Sequence, residues 1–182
     1  MGECEKALNT DEPWHFFTTL AEIDALNVLL AETTPNAATQ QQMQHSLQTA
    51  SKHSARIAPR LAAWLLPCSD CAAAISHVLP LPNPVKYWIK LLASHAHTVR
   101  NWSEATASDK WAVLKHSGSL RQDGDLAELL SVLGIEDPQY TTVIRAMQAC
   151  HALDIQSLQQ QGFSGNELGQ AIKQAQIALL SW

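Results

Sequence analysis

Glycine is scarce in this chain, with 7 residues in 182. No glycine-rich phosphate loop, Walker motif or nucleophile elbow occurs, which excludes the usual nucleotide-cradling and serine-hydrolase frameworks. Charged residues make up 16% of the sequence, well below the quarter typical of globular domains. No apolar run reaches the ~18 residues that a membrane-spanning helix needs, so no membrane partner is expected. There are only four cysteines, and the opening Met1-Gly2-Glu3-Cys4-Glu5-Lys6 is acidic and polar, unlike a signal peptide. These features predict reduced thiols in a cytoplasmic protein. No stretch alternates apolar and polar residues between turn signals, so no strand is expected. What remains is apolar (46%) and rich in Ala, Leu and Gln. That is enough for a core and excludes disorder as the main state. The length fits one domain or two small ones.

The periodicity predicts helices throughout, an all-α fold. Asp11-Glu12-Pro13 reads as a helix start, and Trp14, Phe17, Leu20 and Ala21 then share one face. Residues 37–50 read as a polar, Gln-rich helix with a thin stripe of Met43, Leu47 and Ala50. A helix over 54–66 contains Pro59, which either kinks it or marks its first turn. After the break at Pro67-Cys68-Ser69-Asp70 come helices over 72–79 and, past a proline-rich turn, 85–102. A second series covers 103–116, the Leu126/Leu129/Leu130/Leu133 stripe ended by Gly134, 137–150, 153–161 and 164–180.

Charge is distributed unevenly along the chain. Residues 1–51 carry Lys6 against seven acids, a net charge of −6. Residues 52–121 carry Lys52, Arg56, Arg60, Lys86, Lys90, Arg100, Lys110, Lys115 and Arg121 against Asp70, Glu104 and Asp109, a net charge of +6. Residues 122–182 return to −5. Five of the eight histidines, His53, His77, His95, His97 and His116, lie in the basic middle. Such a segment steers polyanions if its charges share a surface, and is neutralised if the acidic ends fold onto it.

Candidate chemistry is sparse. Cys68-Ser69-Asp70-Cys71 has CxxC spacing, but no second ligand pair lies nearby for zinc, and the strand–helix setting of a redox dithiol is absent. It reads as two incidental thiols in a turn. His95 and His97 fall on different helix faces and do not share a metal. Asp123-Gly124-Asp125 has the DxD spacing by which nucleotidyl transferases hold Mg²⁺, yet it precedes a Leu-striped helix, where Asp favours a cap. Ser164-Gly165-Asn166-Glu167 fits a capping box, with Ser164 as the cap and Glu167 reaching back. Gly162 and Gly165 would then allow close approach, and Phe163 would pack into the body.

Leu158-Gln159-Gln160-Gln161-Gly162-Phe163-Ser164-Gly165-Asn166-Glu167-Leu168-Gly169-Gln170-Ala171-Ile172 resembles the tail of bacterial class II tRNA nucleotidyltransferases, the CCA-adding enzymes. The tail pattern of that family is roughly G-F/L-x-G-x-E-I/L-G-x-x-I, followed by a basic-apolar helix. Glu5-Lys6-Ala7-Leu8, Phe16-Phe17, Leu20, Ala25-Leu26 and Leu29-Leu30-Ala31-Glu32 are similar to the family's segment after its nucleotide-binding head. Leu81-Pro82-Asn83, Leu91-Leu92 and His95 resemble its "V-P-N-E … L-V-x-x-H" helix. The head itself, with its G-G-x-V-R-D loop and strand-borne carboxylates, has no counterpart here. Many relatives carry a His-Asp phosphohydrolase region in the middle. Where its metal-binding dipeptide would fall, this chain reads Trp64-Leu65-Leu66-Pro67, and the segment from there to Leu81 is short.

The resemblance implies a C-terminal piece of a CCA-adding-enzyme-like protein, with a degenerate His-Asp body over 1–102 and a tail over 103–182. It implies tRNA as partner, a separate nucleotide-binding head domain, and no catalytic residue, metal or cofactor in this chain, Mg²⁺ belonging to the head. Backbone recognition of tRNA needs phosphate-facing cations, and the expected set is Lys86, Lys90, Arg100, Lys110, Lys115 and Arg121. The alternative is a stand-alone degenerate helical module for protein–protein interaction or regulation.

Overall fold

The computed structural model describes residues 2–30, 33, 35–78, 80–121 and 124–181. The fold is all-α, 71% helical, with no strand among the described residues. The chain forms two compact units, Met1–Ala96 with Glu128–Gly134, and His97–Ala127 with Ile135–Trp182.

The first unit contains α1 (Gly2–Leu8), α2 (Trp14–Glu22), α3 (Leu26–Leu29), α4 (Ala37–His53), α5 (Ile57–Leu65), α6 (Ser69–Val78) and most of α7 (Asn83–Arg100). Pro59 sits in the first turn of α5, where its missing N–H breaks no helical bond. Asn36 caps α4 by accepting the Thr39 N–H at 2.9 Å. The thin stripe of α4, Met43, Leu47 and Ala50, is buried as its spacing predicts. It packs on α5, whose residues from Pro59 to Leu65 are all buried. Phe17 of α2 stacks on Trp64 with ring centroids 4.1 Å apart. Both rings are buried in the core of this unit. The returning segment, from α9 (Leu126–Val132), is tied to the α4–α5 turn through Glu128. Its carboxylate accepts from Ser54 Oγ at 2.6 Å and pairs with Arg56.

Arg60, counted above among the cations of a basic surface, is only 6% exposed. Its Nε donates to Ser54 O (2.6 Å), Nη1 to Leu8 O (2.6 Å) and Thr10 O (2.9 Å), and Nη2 to Ser51 O (3.2 Å). These carbonyls lie at the C-terminal ends of α1 and α4, where the helix leaves four acceptors without intrahelical partners. Burial lowers the Arg60 pKa, with Asp11 opposing the shift, but a guanidinium stays protonated throughout the physiological range.

Two cysteines depart from expectation. Cys68 and Cys71 are joined in a disulfide instead of standing as free thiols. Cys68 ends the α5–α6 turn and Cys71 falls in the first turn of α6, so the helix start itself brings the two sulfurs together. Cys4 and Cys150 are free.

The second unit contains α8 (Ala107–His116), α10 (Gln139–His151), α11 (Ile155–Gln160) and α12 (Gly165–Leu179). Thr106 and Asp154 cap α8 and α11 by accepting the N–H groups of Asp109 and Ser157, both at 3.1 Å. Helix α12 packs on α8, α10 and α11. Its start corrects three expectations. Ser164 occupies the N-cap position, but its side chain makes no cap hydrogen bond. With Gly165 at φ +53°, the helix is entered from left-handed backbone, and the Glu167 N–H points to the Ser164 carbonyl at 3.1 Å. Gly162 (φ +95°) and Gly165 are required by those dihedrals and not by close packing, since a Cβ on either would meet nothing within 4 Å. Phe163 is 38% exposed and does not enter a core.

Two stability outcomes follow from these placements. Arg60→Ala removes the donor from two buried and two part-buried carbonyls and is expected to lower unfolding free energy by about 2–4 kcal/mol. Lys52→Ala, at an exposed site near the end of the same α4, is expected to change it by less than about 0.5 kcal/mol. Denaturant midpoints of the two variants check this. Phe163→Ala is expected to melt within a degree or two of the parent, because little apolar surface is lost from the interior; a fall of about 3 kcal/mol would mean that the ring is buried.

Candidate nucleic-acid interface

The expected phosphate-facing cations divide among different environments. Lys86 and Lys90 lie four residues apart on α7 and are exposed, with buried Trp88 and Leu92 turned to the core. Arg100, in the last turn of α7, and Arg121, in the loop after α8, are exposed. Lys110 is corrected: it is 5% exposed, and its ammonium reaches the Leu180 carbonyl at the end of α12 at 3.5 Å. It also lies 6.0 Å from the ring centroid of buried Trp102. A helix C-terminus presents partial negative charge and unpaired carbonyls, and Lys110 is drawn inward to them. A buried ammonium held on a carbonyl is not available to a phosphate.

Lys115 occupies the second unit's most organised cationic site. One helical turn before it on α8, Trp111 is half-buried and donates its Nε1–H to Gln176 Oε1 of α12 at 2.9 Å. Gln176 is itself buried, which fixes the indole in place. Exposed Lys115 and exposed Lys173, one turn before Gln176 on α12, each place Nζ 4.9 Å from the Trp111 ring centroid. Both lie within cation–π range, an attraction of about 0.5–1 kcal/mol at an exposed site. The result is an indole ring held by a buried hydrogen bond, with two exposed ammonium groups over it. Two like charges gathered at one ring repel each other, and an arriving anion relieves that repulsion.

Lys173 was not among the expected cations because it lies outside the basic middle. Lys173 and Gln176 fall one turn apart on the last helix, a local spacing that does not show what they meet on α8. Asp123 of the DxD motif lies outside the described residues, and the Asp125 N–H donates to Ser117 O at 2.7 Å. The start of α9 is served by Ser119, whose Oγ accepts the Leu126 N–H at 3.2 Å. His95 is buried, whereas His97 is exposed with its Nδ1 3.3 Å from Asn101 Nδ2. Among the described residues, no group of three or more His, Cys, Asp or Glu is placed to hold a metal ion. No helix of the described residues is long and apolar enough to cross a membrane. In the tail, Gly162, Phe163, Ser164, Gly165 and Glu167 are all exposed.

No family model matches the sequence, and neither a curated protein nor a solved structure matches it.

Proposed function

We propose that this chain binds RNA, and in particular tRNA, as the body and tail of a CCA-adding-enzyme-like nucleotidyltransferase. In the cytoplasm it would work beside a nucleotide-binding head domain that supplies the Mg²⁺ chemistry and adds CCA to tRNA 3′ ends from CTP and ATP. The observation that carries this reading is the Trp111 ring flanked by Lys115 and Lys173. Binding that follows RNA shape depends on ammonium groups set against phosphates, with aromatic faces on which unpaired bases stack. This cluster supplies both elements. Lys86 and Lys90 on α7, together with Arg100 and Arg121, are additional exposed cations for backbone contacts. The exposed tail motif suits the same reading, since the Gly-Phe-Ser-Gly turn presents part of its aromatic ring at the surface.

A second reading, a helical module for protein–protein interaction, is favoured by one feature of the first unit. A cavity of about 260 Å³ has Trp14, Phe17, Met43 and Trp64 in its wall, with Gln40 and Gln44 also lining it. Ile23 and Val28, in the same α2–α3 segment as the lining residues Ala21 and Leu26, are 66% and 77% exposed.

Titration of labelled tRNA at several salt concentrations separates the two readings. Under the first, binding falls in the range of about 10⁻⁴–10⁻⁶ M, and each phosphate contact contributes about 0.7–0.9 to the log–log salt slope. Lys115→Ala with Lys173→Ala is expected to flatten that slope by up to two such increments at unchanged melting temperature, because both ammonium groups are solvated. Lys110→Ala is expected to lower stability instead. The absence of tRNA affinity at low salt, or binding indifferent to the double substitution, would reject the RNA reading at this cluster, and the first of these outcomes is what the interaction module requires.

A further inference from the structure

The RNA reading leaves one chemically distinctive feature unused, the Cys68–Cys71 pair. The two residues differ in surroundings. Cys68 is half-buried at the surface end of the α5–α6 turn, while Cys71 is fully buried with Trp64, Ile75 and Leu81 in the core cluster. The Cys71 backbone N–H, in the first turn of α6, donates to Cys68 Sγ at 3.2 Å. A backbone donor aimed at sulfur from a helix start favours thiolate over thiol. The requirement that seemed unmet in the sequence, a strand leading into the helix, is not needed for this effect. The residue preceding a ten-residue helix is enough to give Cys68 the donor.

We propose that Cys68 and Cys71 form a thiol–disulfide exchange site, with Cys68 as the attacking thiol, Cys71 as the resolving thiol, and a small or peptide disulfide as substrate. In the reduced protein the Cys68 thiolate attacks one sulfur of the substrate R–S–S–R. A Cys68–S–S–R bond forms, and the R–S⁻ released takes a proton from solvent. Cys71 then gives up its proton to solvent and attacks Cys68 Sγ, which closes the Cys68–Cys71 bond and expels the second R–S⁻, to be protonated in turn. Two electrons pass from the protein dithiol to the substrate, and the two protons end on the two product thiols. A dithiol reductant runs the same steps backwards.

The other charged group of the turn is Asp70, an exposed carboxylate in the first turn of α6. Its negative charge opposes a thiolate at Cys68, whereas the Cys71 backbone donor favours one. The remaining thiols compete poorly. Burial raises the pKa of Cys4, and it pushes Cys150 up to about 11, so at neutral pH both are held as thiols.

The test uses the full chain, reduced and then exposed to glutathione disulfide at neutral pH, with peptide mass spectrometry following each cysteine over time. In the parent protein, Cys68 is expected to be consumed about tenfold faster than Cys4 in the same molecules, with Cys68–Cys71 as the end product. In Cys71→Ser the reaction is expected to stop at a stable Cys68–glutathione adduct, whereas Cys68→Ser leaves Cys71 unmodified. Consumption of Cys68 no faster than Cys4, or glutathione trapped on Cys71 in Cys68→Ser, would overturn the assignment. The parent comparison needs no substitution and decides the matter if a variant fails to fold. RNA affinity is read separately, so neither result depends on the other.

Discussion

The guanidinium of Arg60 lies among the backbone carbonyls that close α1 and α4. Placing a full charge in an interior costs several kcal/mol of hydration. Four donations to carbonyls whose helices would otherwise leave them unpaired offset that cost, and the negative ends of two helices face the positive charge. The arrangement also joins segments far apart in sequence, with Arg60 reaching Leu8 and Thr10 from the first turn of α5. The Phe17–Trp64 stack and the packing of α4 on α5 belong to the same unit as this anchor. The second unit uses the same device on a smaller scale, with Lys110 on the Leu180 carbonyl at the end of α12.

These two cations explain why the charge pattern overstates the surface field. The linear sequence shows nine bases between 52 and 121, but it does not show which of them fold inward. Arg60 follows Pro59 in a run of buried residues, and only the return of α1 and the end of α4 makes its burial favourable. The helices themselves were legible because they depend on local periodicity and caps. The buried stripe Met43–Leu47–Ala50 and a helix end at Gly134 follow from spacing alone, whereas spacing left Pro59 between a kink and a first turn, and the start of α5 at Ile57 decides for the first turn. The environments of the tail residues were not legible. Phe163 and Ser164 belong to a motif that could equally close a core or face outward, and the choice depends on whether a partner surface lies opposite.

The candidate site shows the same division. Lys115 was readable as a basic residue one turn from Trp111, a purely local relation. Lys173 belongs to the cluster through the packing of α12 on α8, a relation between residues 62 positions or more apart that no local pattern signals. The Cys68–Cys71 bond was within reach of spacing, since CxxC at a helix start is close enough to join. What spacing could not supply was the difference in burial between the two sulfurs, which gives them distinct roles.

Trp111 has a further consequence, for light rather than for binding. The chain has six tryptophans, of which Trp64, Trp88 and Trp102 are buried. Trp111 alone among these four keeps part of its ring at the surface with two ammonium groups beside it. An indole excited state is sensitive to nearby charge. Movement of Lys115 and Lys173 away from the ring therefore alters emission from one residue while the enclosed three go on reporting the integrity of the cores, so a single fluorescence spectrum carries separate signals from the surface and the interior.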